Sequence, residues 1–368
     1  MRYSRLRFAF RDKQERARVV GNLIRLRRQL DAEIPDKDSG NNLLLATWNI
    51  RDLGKINRRG YGHRLTESHF YIAEILSRFD FVAVQEVNEL DEWLEVMSIL
   101  GPEWDFIATD VTDTRLGGNG ERLTYVFDRR KVTFRNIAGE IVLPNSMLIS
   151  KAIVESDGEK LYSGKQFRRT PFLTSFQSDW FKFDICTVHI YFGDESGAKL
   201  KERIEEIEGI AAYLAARAED SLKQKKALIL LGDFNIMHPE HKTMKALTDR
   251  GFVVPKTLKH PTNLDETKYY DQIAFMTDPE VIKYIETTSD NPKARNAGIF
   301  NIFTSVFRPS DFDQYKEAAE KTSNGKGKTG AALKTYYADW KTYQLSDHKP
   351  MWVRIKSNAA PEYLESLL

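Results

Sequence analysis

The sequence predicts an α/β fold in which mixed β-sheets are flanked by helices, and three observations support this prediction. Short apolar runs of strand length alternate with segments whose apolar residues recur every three or four positions, as in a helix. Several strand-like runs follow one another with few helices between them, which favours mixed sheets over a purely parallel sheet. Four of the apolar runs end directly in an Asn, Glu, His or Asp residue.

The predicted strands fall into two groups. Four run into a polar residue: 43–48 before Asn49, 81–85 before Glu86, 185–188 before His189 and 228–232 before Asp233. Three others, at 122–127, 172–176 and 351–355, are rich in apolar and β-branched residues. The helical spacing predicts helices over 66–79, 89–100 and 199–216.

The chain divides into a basic N-terminal extension (1–41), one large domain (42–357) with an insertion around 278–343, and a tail (358–368). Before residue 30, ten arginines and lysines oppose two acidic residues, with apolar residues at helical spacing. This amphipathic helix either packs on the domain with a solvated arginine face, or is an arm for nucleic acid, another protein or self-association. Within the insertion, residues 322–330 are expected to be a flexible basic loop.

Composition excludes several classes of protein. The formal net charge of the 368 residues is only +2, so affinity for nucleic acid would have to come from local patches. No apolar run approaches the roughly 20 residues of a membrane span, so no membrane partner is expected. Cys186, the single cysteine, cannot form an internal disulfide, and the sequence starts without a signal-peptide pattern, so a cytoplasmic location is expected.

The polar residues at the strand ends predict a catalytic site. Strands that each bring one Asn, Glu, His or Asp to the same edge of a sheet place these side chains together. The adjacent pair Asp347 and His348, near the C-terminus, adds a further carboxylate and imidazole. These residue types match metal-assisted hydrolysis of a phosphate ester.

Eight short segments, in order along the chain, resemble those of the endonuclease/exonuclease/phosphatase superfamily, and most closely its deoxyribonuclease I branch. The matching segments are Trp48-Asn49-Ile50-Arg51, Gln85-Glu86-Val87, Glu121-Arg122-Leu123-Thr124-Tyr125, Arg169-Thr170-Pro171, Val188-His189, Gly232-Asp233-Phe234-Asn235, Tyr270-Asp271-Gln272-Ile273 and Ser346-Asp347-His348-Lys349-Pro350. The resemblance spans about residues 43 to 356. It implies a four-layer α/β sandwich, with two packed mixed β-sheets flanked by helices and the site at one end.

The resemblance also implies a divalent metal, normally Mg²⁺, which Mn²⁺ could replace. Mg²⁺ prefers oxygen ligands and keeps several of its waters, so a few carboxylates suffice to bind it. Glu86 is expected to be the primary ligand, helped by Asn49 and Asp347.

The remaining matched residues acquire catalytic roles from the same resemblance. His348, oriented by Asp271, is expected to be a general base or a phosphate-contacting imidazole. Asp233 would position or deprotonate water. The residues expected to contact phosphate oxygens are Asn49, Asn235 and Arg169.

His189 distinguishes between branches of the superfamily. The deoxyribonuclease I branch has His at this strand end, paired with a Glu that corresponds to Glu121, whereas the apurinic-endonuclease branch usually has Asn. Two His–carboxylate pairs would then flank the phosphate as acid and base. Asn119 and Asn88 replace an aromatic and an arginine with which the branch contacts the minor groove, so this contact is not predicted.

Three functions are compatible with the sequence. The first is a Mg²⁺-dependent nuclease, acting on DNA and cutting within the strand. The second is a phosphatase or phospholipase for phosphoinositides, sphingolipids or small phosphate esters. The third is a binding module that keeps the fold without catalysis.

Overall fold

The computed structural model describes residues 1–38, 40–55, 58–111, 120–156 and 159–368, and the side chains of residues 58 and 150–163 lie outside this description. Asn119 is therefore outside the described residues. The strands are β1 (Asn42–Leu53), β2 (Phe81–Val87), β3 (Trp104–Ala108), β4 (Arg122–Asp128), β5 (Thr133–Glu140), β6 (Ile149–Ser156), β7 (Glu159–Lys165), β8 (Phe172–Ser178), β9 (Phe181–His189), β10 (Ala227–Asp233), β11 (Asp271–Met276), β12 (Ala297–Ile299) and β13 (Met351–Lys356).

The α-helices lie between and beside these strands. They are α1 (Leu6–Ala9), α2 (Lys13–Glu33), α3 (Thr66–Ser77), α4 (Leu90–Leu100), α5 (Gly197–Lys223), α6 (Lys242–Thr248), α7 (Pro279–Glu286), α8 (Phe312–Glu320), α9 (Gly330–Gln344) and α10 (Ala360–Glu365). In the described part of the chain, none of these helices combines the length and apolarity needed to cross a bilayer.

The strands form two mixed sheets and a separate hairpin. The first sheet has the order β12-β13-β1-β2-β4-β3, the second has the order β11-β10-β9-β8-β5, and β6 pairs with β7. The pairs β1–β2 and β9–β10 are parallel, and the other pairs are antiparallel. The mixed sheets predicted from the sequence are confirmed.

The two sheets pack face to face, and helices cover their outer faces. Because side chains alternate along a strand, Leu43 and Leu45 of β1 face the second sheet while Leu44 and Ala46 face the helices. Between the sheets, the ring of Phe81 lies 4.8 Å from that of Phe176, measured between centroids. Helix α5 packs on β10, and α2, α3 and α9 share the core on the outer side of the first sheet. This is the predicted four-layer sandwich.

The predicted elements are confirmed, with two differences of detail. Helix α5 continues to Lys223, beyond the predicted end at 216, because Ala218 and Ser221 still face the core. The expected basic loop at 322–330 forms a series of turns packed on the rest of the protein. There the backbone N–H of Asn324 donates to the carbonyl of Gly60 at 3.0 Å.

The N-terminal helix α2 packs on the domain, which agrees with the first of the two interpretations of this basic segment. Val19, Leu26 and other apolar residues of its inner stripe are fully buried against α3 and α9. Its arginines are largely bound rather than solvated. The ion pairs are Arg18–Glu67 at 2.7 Å, Arg27–Glu74 at 3.3 Å and Arg25–Asp311 at 3.6 Å.

Gly232, at the end of β10, has no room for a side chain. Its φ is 127°, and a Cβ atom there would lie 2.9 Å from the backbone nitrogen of Val188 on the paired strand β9 and still closer to the carbonyl oxygen of Val188. We expect Gly232→Ala to lower the free energy of unfolding by at least about 2 kcal/mol, because it strains the backbone and separates two paired strands. Urea denaturation measures this.

Gly139 on β5 provides the matched control, because a Cβ there would have nothing within 4 Å. Gly139→Ala should change the free energy of unfolding by no more than about 0.5 kcal/mol. Equal stability of the two variants would contradict the account of Gly232.

Candidate active site

The predicted site residues meet where the carboxyl ends of the parallel strands lie side by side. Asn49 and Glu86 come from β1 and β2 of the first sheet, and His189 and Asp233 come from β9 and β10 of the second. Asp271 opens β11 directly opposite Asp233, because these strands are antiparallel. Packing of the two sheets therefore brings residues from five strand ends into one cluster.

His348 lies in a turn that precedes β13, and hydrogen bonds join this turn to β1. The Ser346 hydroxyl donates to the carbonyl oxygen of Asn49 at 2.5 Å and accepts from the backbone N–H of His348 at 2.9 Å. The indole N–H of Trp48 donates to the carbonyl oxygen of His348 at 3.0 Å. Two of these bonds hold the backbone of His348 and the third joins Ser346 to β1, so the fold orients the imidazole.

The two expected His–carboxylate pairs are present. His348 Nδ1 lies 2.8 Å from Asp271 Oδ2, and His189 Nδ1 lies 2.7 Å from Glu121 Oε1. All four side chains are buried or nearly so. In each pair the carboxylate contacts Nδ1, which leaves Nε2 directed toward the centre of the cluster.

Asp233 lies between the two imidazoles. Its Oδ2 atom is 3.5 Å from His189 Nε2 and 3.7 Å from His348 Nε2, and it accepts from the amide nitrogen of Asn49 at 3.1 Å. Burial alone would raise the pKa of Asp233, but the two histidines and the hydrogen bonds outweigh burial and lower it. Asp233 therefore stays ionised.

The pKa values of the two histidines shift in the opposite direction to that of Asp233. Burial alone would lower the pKa of His348, but the charges of Asp271 and Asp233 raise it well above its ordinary value. Burial and Arg169 oppose protonation of His189, but Glu121 outweighs them and raises the pKa of His189. Both imidazoles are thereby biased toward the charged form.

Glu86 is the carboxylate best placed to hold a cation. It accepts from the Asn49 amide nitrogen at 2.9 Å and from the backbone N–H of Asp52 at 2.7 Å. Burial, then the nearby charges of Glu121 and Asp52, raises the pKa of Glu86 despite the proximity of His189. Glu86, Glu121 and His189 form one group with metal-ligand spacing, and Asp233, Asp271 and His348 form a second.

The backbone around the cluster is strained in four places. Arg51, Asp52, Glu86 and Asn235 all have φ between 47° and 63°, a region that costs non-glycine residues free energy. Such residues concentrate where a fold must aim side chains for function. Their clustering here supports the assignment of this edge as the functional site.

Three predicted residues make contacts other than those expected. Asp347 pairs with Arg51 at 3.1 Å, Arg169 Nε lies 2.5 Å from Glu121 Oε1, and the Asn235 amide nitrogen donates to the carbonyl of Ile190 at 2.8 Å. The other seven predicted residues form the cluster itself: Asn49, Glu86, Glu121, His189, Asp233, Asp271 and His348.

Two supporting arginines were missed from the sequence. Arg203 is fully buried and donates to the backbone carbonyls of Phe192 and Asn235 at 2.8 and 2.9 Å, which holds the loop after Asp233. Arg64 is also buried and donates to carbonyls of the segments around Ile50 and Leu345. A charged residue amid the apolar stripe of a predicted helix was a usable signal for Arg203, whereas Arg64 stood in an apparently solvated basic stretch.

Comparison with known proteins agrees with this geometry. Residues 46–273 match the model of the Endonuclease/Exonuclease/phosphatase family. A deoxyribonuclease from Thioalkalivibrio sp. (strain K90mix) is 29% identical over 215 residues, which are 56% of this chain and 50% of that protein. The chain thus spans about half the length of this curated relative.

Two solved structures from Bacteroides thetaiotaomicron are also similar. One is an endonuclease/exonuclease/phosphatase family protein at 17% identity, with a TM-score of 0.49, covering 86% of this chain and 98% of its own. The other is a mannosyl-6-phosphatase at 17% identity, with a TM-score of 0.45, covering 85% of this chain and 99% of its own.

Replacing Asp271 by Asn should lower the pKa of His348, because it removes the nearest negative charge. In the wild type, the raised pKa of folded His348 adds stability that is fully present below the ordinary histidine pKa. That stability is lost as the pH rises through the raised value. NMR titration of the imidazole, in protein kept in chelator, measures the shift.

Asp313→Asn serves as the control, because this side chain is 85% exposed on α8. It should leave the titration of His348 unchanged. If Asp271→Asn also left it unchanged, Asp271 would not be the source of the raised pKa.

Proposed function

The chain belongs to the endonuclease/exonuclease/phosphatase family, whose members hydrolyse phosphate esters with a divalent metal, and from this premise we propose that it is a Mg²⁺-dependent nuclease that hydrolyses phosphodiester bonds of DNA. The observation that carries the proposal is the pair of His–carboxylate dyads facing each other across Asp233. Two imidazoles whose Nε2 atoms both face the centre of the cluster can contact both sides of one phosphodiester. The relative named as a deoxyribonuclease supports DNA as the substrate.

The donor set suits a hard cation. Glu86 sits among further carboxylates whose mutual repulsion a cation would relieve, and carboxylate oxygens are the ligands that Mg²⁺ prefers, with Mn²⁺ as a substitute. Asn49 and Asp347 are proposed as additional ligands. Asp347 would have to leave Arg51, and Asn49 would have to present its oxygen rather than its nitrogen. A bound metal would neutralise charge on the phosphate in the transition state.

The proposed proton transfers are assigned to three side chains of the cluster, Asp233, His189 and His348. Asp233 is suited to position water and to accept its proton, because its lowered pKa keeps it in the ionised form. His189 and His348 are suited to donate hydrogen bonds to the phosphate and to the leaving oxygen, because their pKa values are raised. This division favours Asp233 over His348 as the base. Arg169 and Asn235 are proposed to act mainly by holding Glu121 and the loop after Asp233.

Glu86→Gln should weaken Mg²⁺ binding by at least about tenfold, because it removes the negative charge while preserving size. Isothermal titration calorimetry with Mg²⁺ and with Mn²⁺ measures this directly. Glu280→Gln, at a carboxylate that is 74% exposed, is the matched control and should bind metal as the wild type does. Unchanged affinity in Glu86→Gln would place the metal elsewhere.

The function itself is tested by incubating the protein with closed circular plasmid, linear duplex, single-stranded DNA and RNA, each with Mg²⁺ or chelator. We expect Mg²⁺-dependent nicking of the circle. His189→Asn and His348→Asn should each lower kcat by about 10²- to 10⁴-fold, because each removes a proton donor at the phosphate.

His260→Asn, at an exposed histidine outside the cluster, should retain activity. Cleavage that persists in both cluster variants would contradict the roles assigned to the imidazoles. If metal-loaded protein cleaves no polynucleotide, the nuclease proposal is wrong, and phosphorylated lipids and small phosphate esters become the substrates to test.

A further inference from the structure

Two basic segments that are far apart in the sequence meet beside the site. The turn at 322–328 packs on the loop at 59–62, where the Asn324 side chain donates to the carbonyl of Arg59 at 2.7 Å and the Asn324 N–H donates to that of Gly60 at 3.0 Å. Gly60 has a φ of 87°, and the space that a Cβ would need there is occupied by the Asn324 amide. The contact is therefore closely fitted.

The junction gathers positive charges that are not neutralised. Arg59 and Lys326 are exposed and Lys328 is half-buried, and within the described residues none of the three forms an ion pair. Nearby lysines of α8 behave differently, since Lys321 pairs with Glu317 at 2.6 Å and Lys316 pairs with Asp313 at 3.3 Å. In a chain with a net charge of only +2, affinity for a polyanion has to come from such local groups of unpaired cations.

A stack of rings connects this group to the active site. The ring of Tyr61, next to Gly60, stacks on that of Tyr343, with 3.8 Å between the ring centroids. The Arg51 guanidinium also lies over the Tyr343 ring, 3.7 Å from its centroid. Arg51 in turn pairs with Asp347, which precedes His348. Asp339, an acidic residue beside the stack, accepts a hydrogen bond from the Tyr61 hydroxyl. A chain of contacts therefore runs from His348 to the junction that carries the cations.

We propose that Arg59, Lys326 and Lys328 form a binding surface for the phosphate backbone of a nucleic-acid strand, away from the phosphate that reacts. This proposal rests on the proposed nuclease function and deepens it. Cations without acidic partners suit a polymer whose phosphates repeat along its length. A small phosphate ester held at His348 cannot reach them at the same time. The insertion thereby favours polynucleotides over small esters.

The test compares Lys326→Gln/Lys328→Gln and Arg59→Gln with the wild type. Binding of a labelled DNA in chelator is measured over a range of salt concentrations. Each lost phosphate contact should reduce the slope of log affinity against log salt by about one, and weaken binding about five- to tenfold at 0.1 M salt. The KM for long DNA should rise, while turnover of bis(p-nitrophenyl) phosphate stays unchanged.

The matched control is Lys182→Gln/Lys225→Gln. These lysines are exposed and form no ion pair within the described residues, and they lie at the end of the second sheet opposite the site, where β9 begins and just after α5 ends. Their loss removes the same charge and should leave the salt slope and the KM unchanged. Asn324→Ala, which removes a bond that joins the two segments, should weaken DNA binding without altering turnover of the small ester.

The outcomes separate the two proposals. Cleavage of DNA with the salt slope and KM unchanged in the Arg59, Lys326 and Lys328 variants would overturn the binding surface and leave the nuclease proposal standing. Equal losses in the control double variant would also overturn it, since total charge rather than this surface would then be responsible. Absence of polynucleotide cleavage by the wild type would contradict the nuclease proposal itself. Oligonucleotides of increasing length, single-stranded and duplex, show which form of strand reaches the surface.

Discussion

The site depends on one contact that crosses between the two sheets. The amide nitrogen of Asn49 donates both to Glu86, its neighbour in the first sheet, and to Asp233 in the second. The proposed metal-binding carboxylate and the proposed base are thus held by the same side chain. A change in the packing of the sheets would separate the two carboxylates, because this amide bonds to both of them across the sheet interface.

A second polar contact explains how the sheets keep that alignment. Gln85, fully buried, donates to Thr47 of its own sheet at 3.1 Å and to Thr187 of the opposite sheet at 2.9 Å. A buried amide without partners costs free energy, so any slide of one sheet over the other would be penalised. Apolar packing alone is less directional, and it would tolerate such a slide more readily. The buried contacts of Gln85 thus keep the two sheets aligned beneath the site, and the aromatic core between the sheets adds stability.

Local patterns predicted the mixed sheets and four members of the cluster, Asn49, Glu86, His189 and Asp233, whereas the four-layer arrangement, Glu121 and Asp271 were implied by the resemblance to the family. Apolar runs that end in a polar residue identify strand ends, and strand ends of parallel pairs meet at one edge. The partners of Asp347 and Arg169 could not be predicted, since Arg51 and Glu121 approach them only when segments far apart in sequence pack together. The buried roles of Arg64 and Arg203 escaped for the same reason. Both bind backbone carbonyls, and these partners cannot be identified from the pattern of side chains, although the position of Arg203 amid an apolar stripe indicates that it is buried.

The distribution of unpaired charge, rather than the number of basic residues, decides where a polyanion can bind. The N-terminal helix is the most basic stretch of the chain, yet Arg18, Arg25 and Arg27 are committed to carboxylates of the domain. A bound phosphate would have to displace those partners, and Glu67 is almost completely buried against Arg18. Arg59 and Lys326 have no such competitor among the described residues. The folded chain therefore ties part of the basic N-terminal segment to carboxylates of the domain, and in its described part it leaves Arg59 and Lys326 unpaired where the segments 59–62 and 322–328 meet.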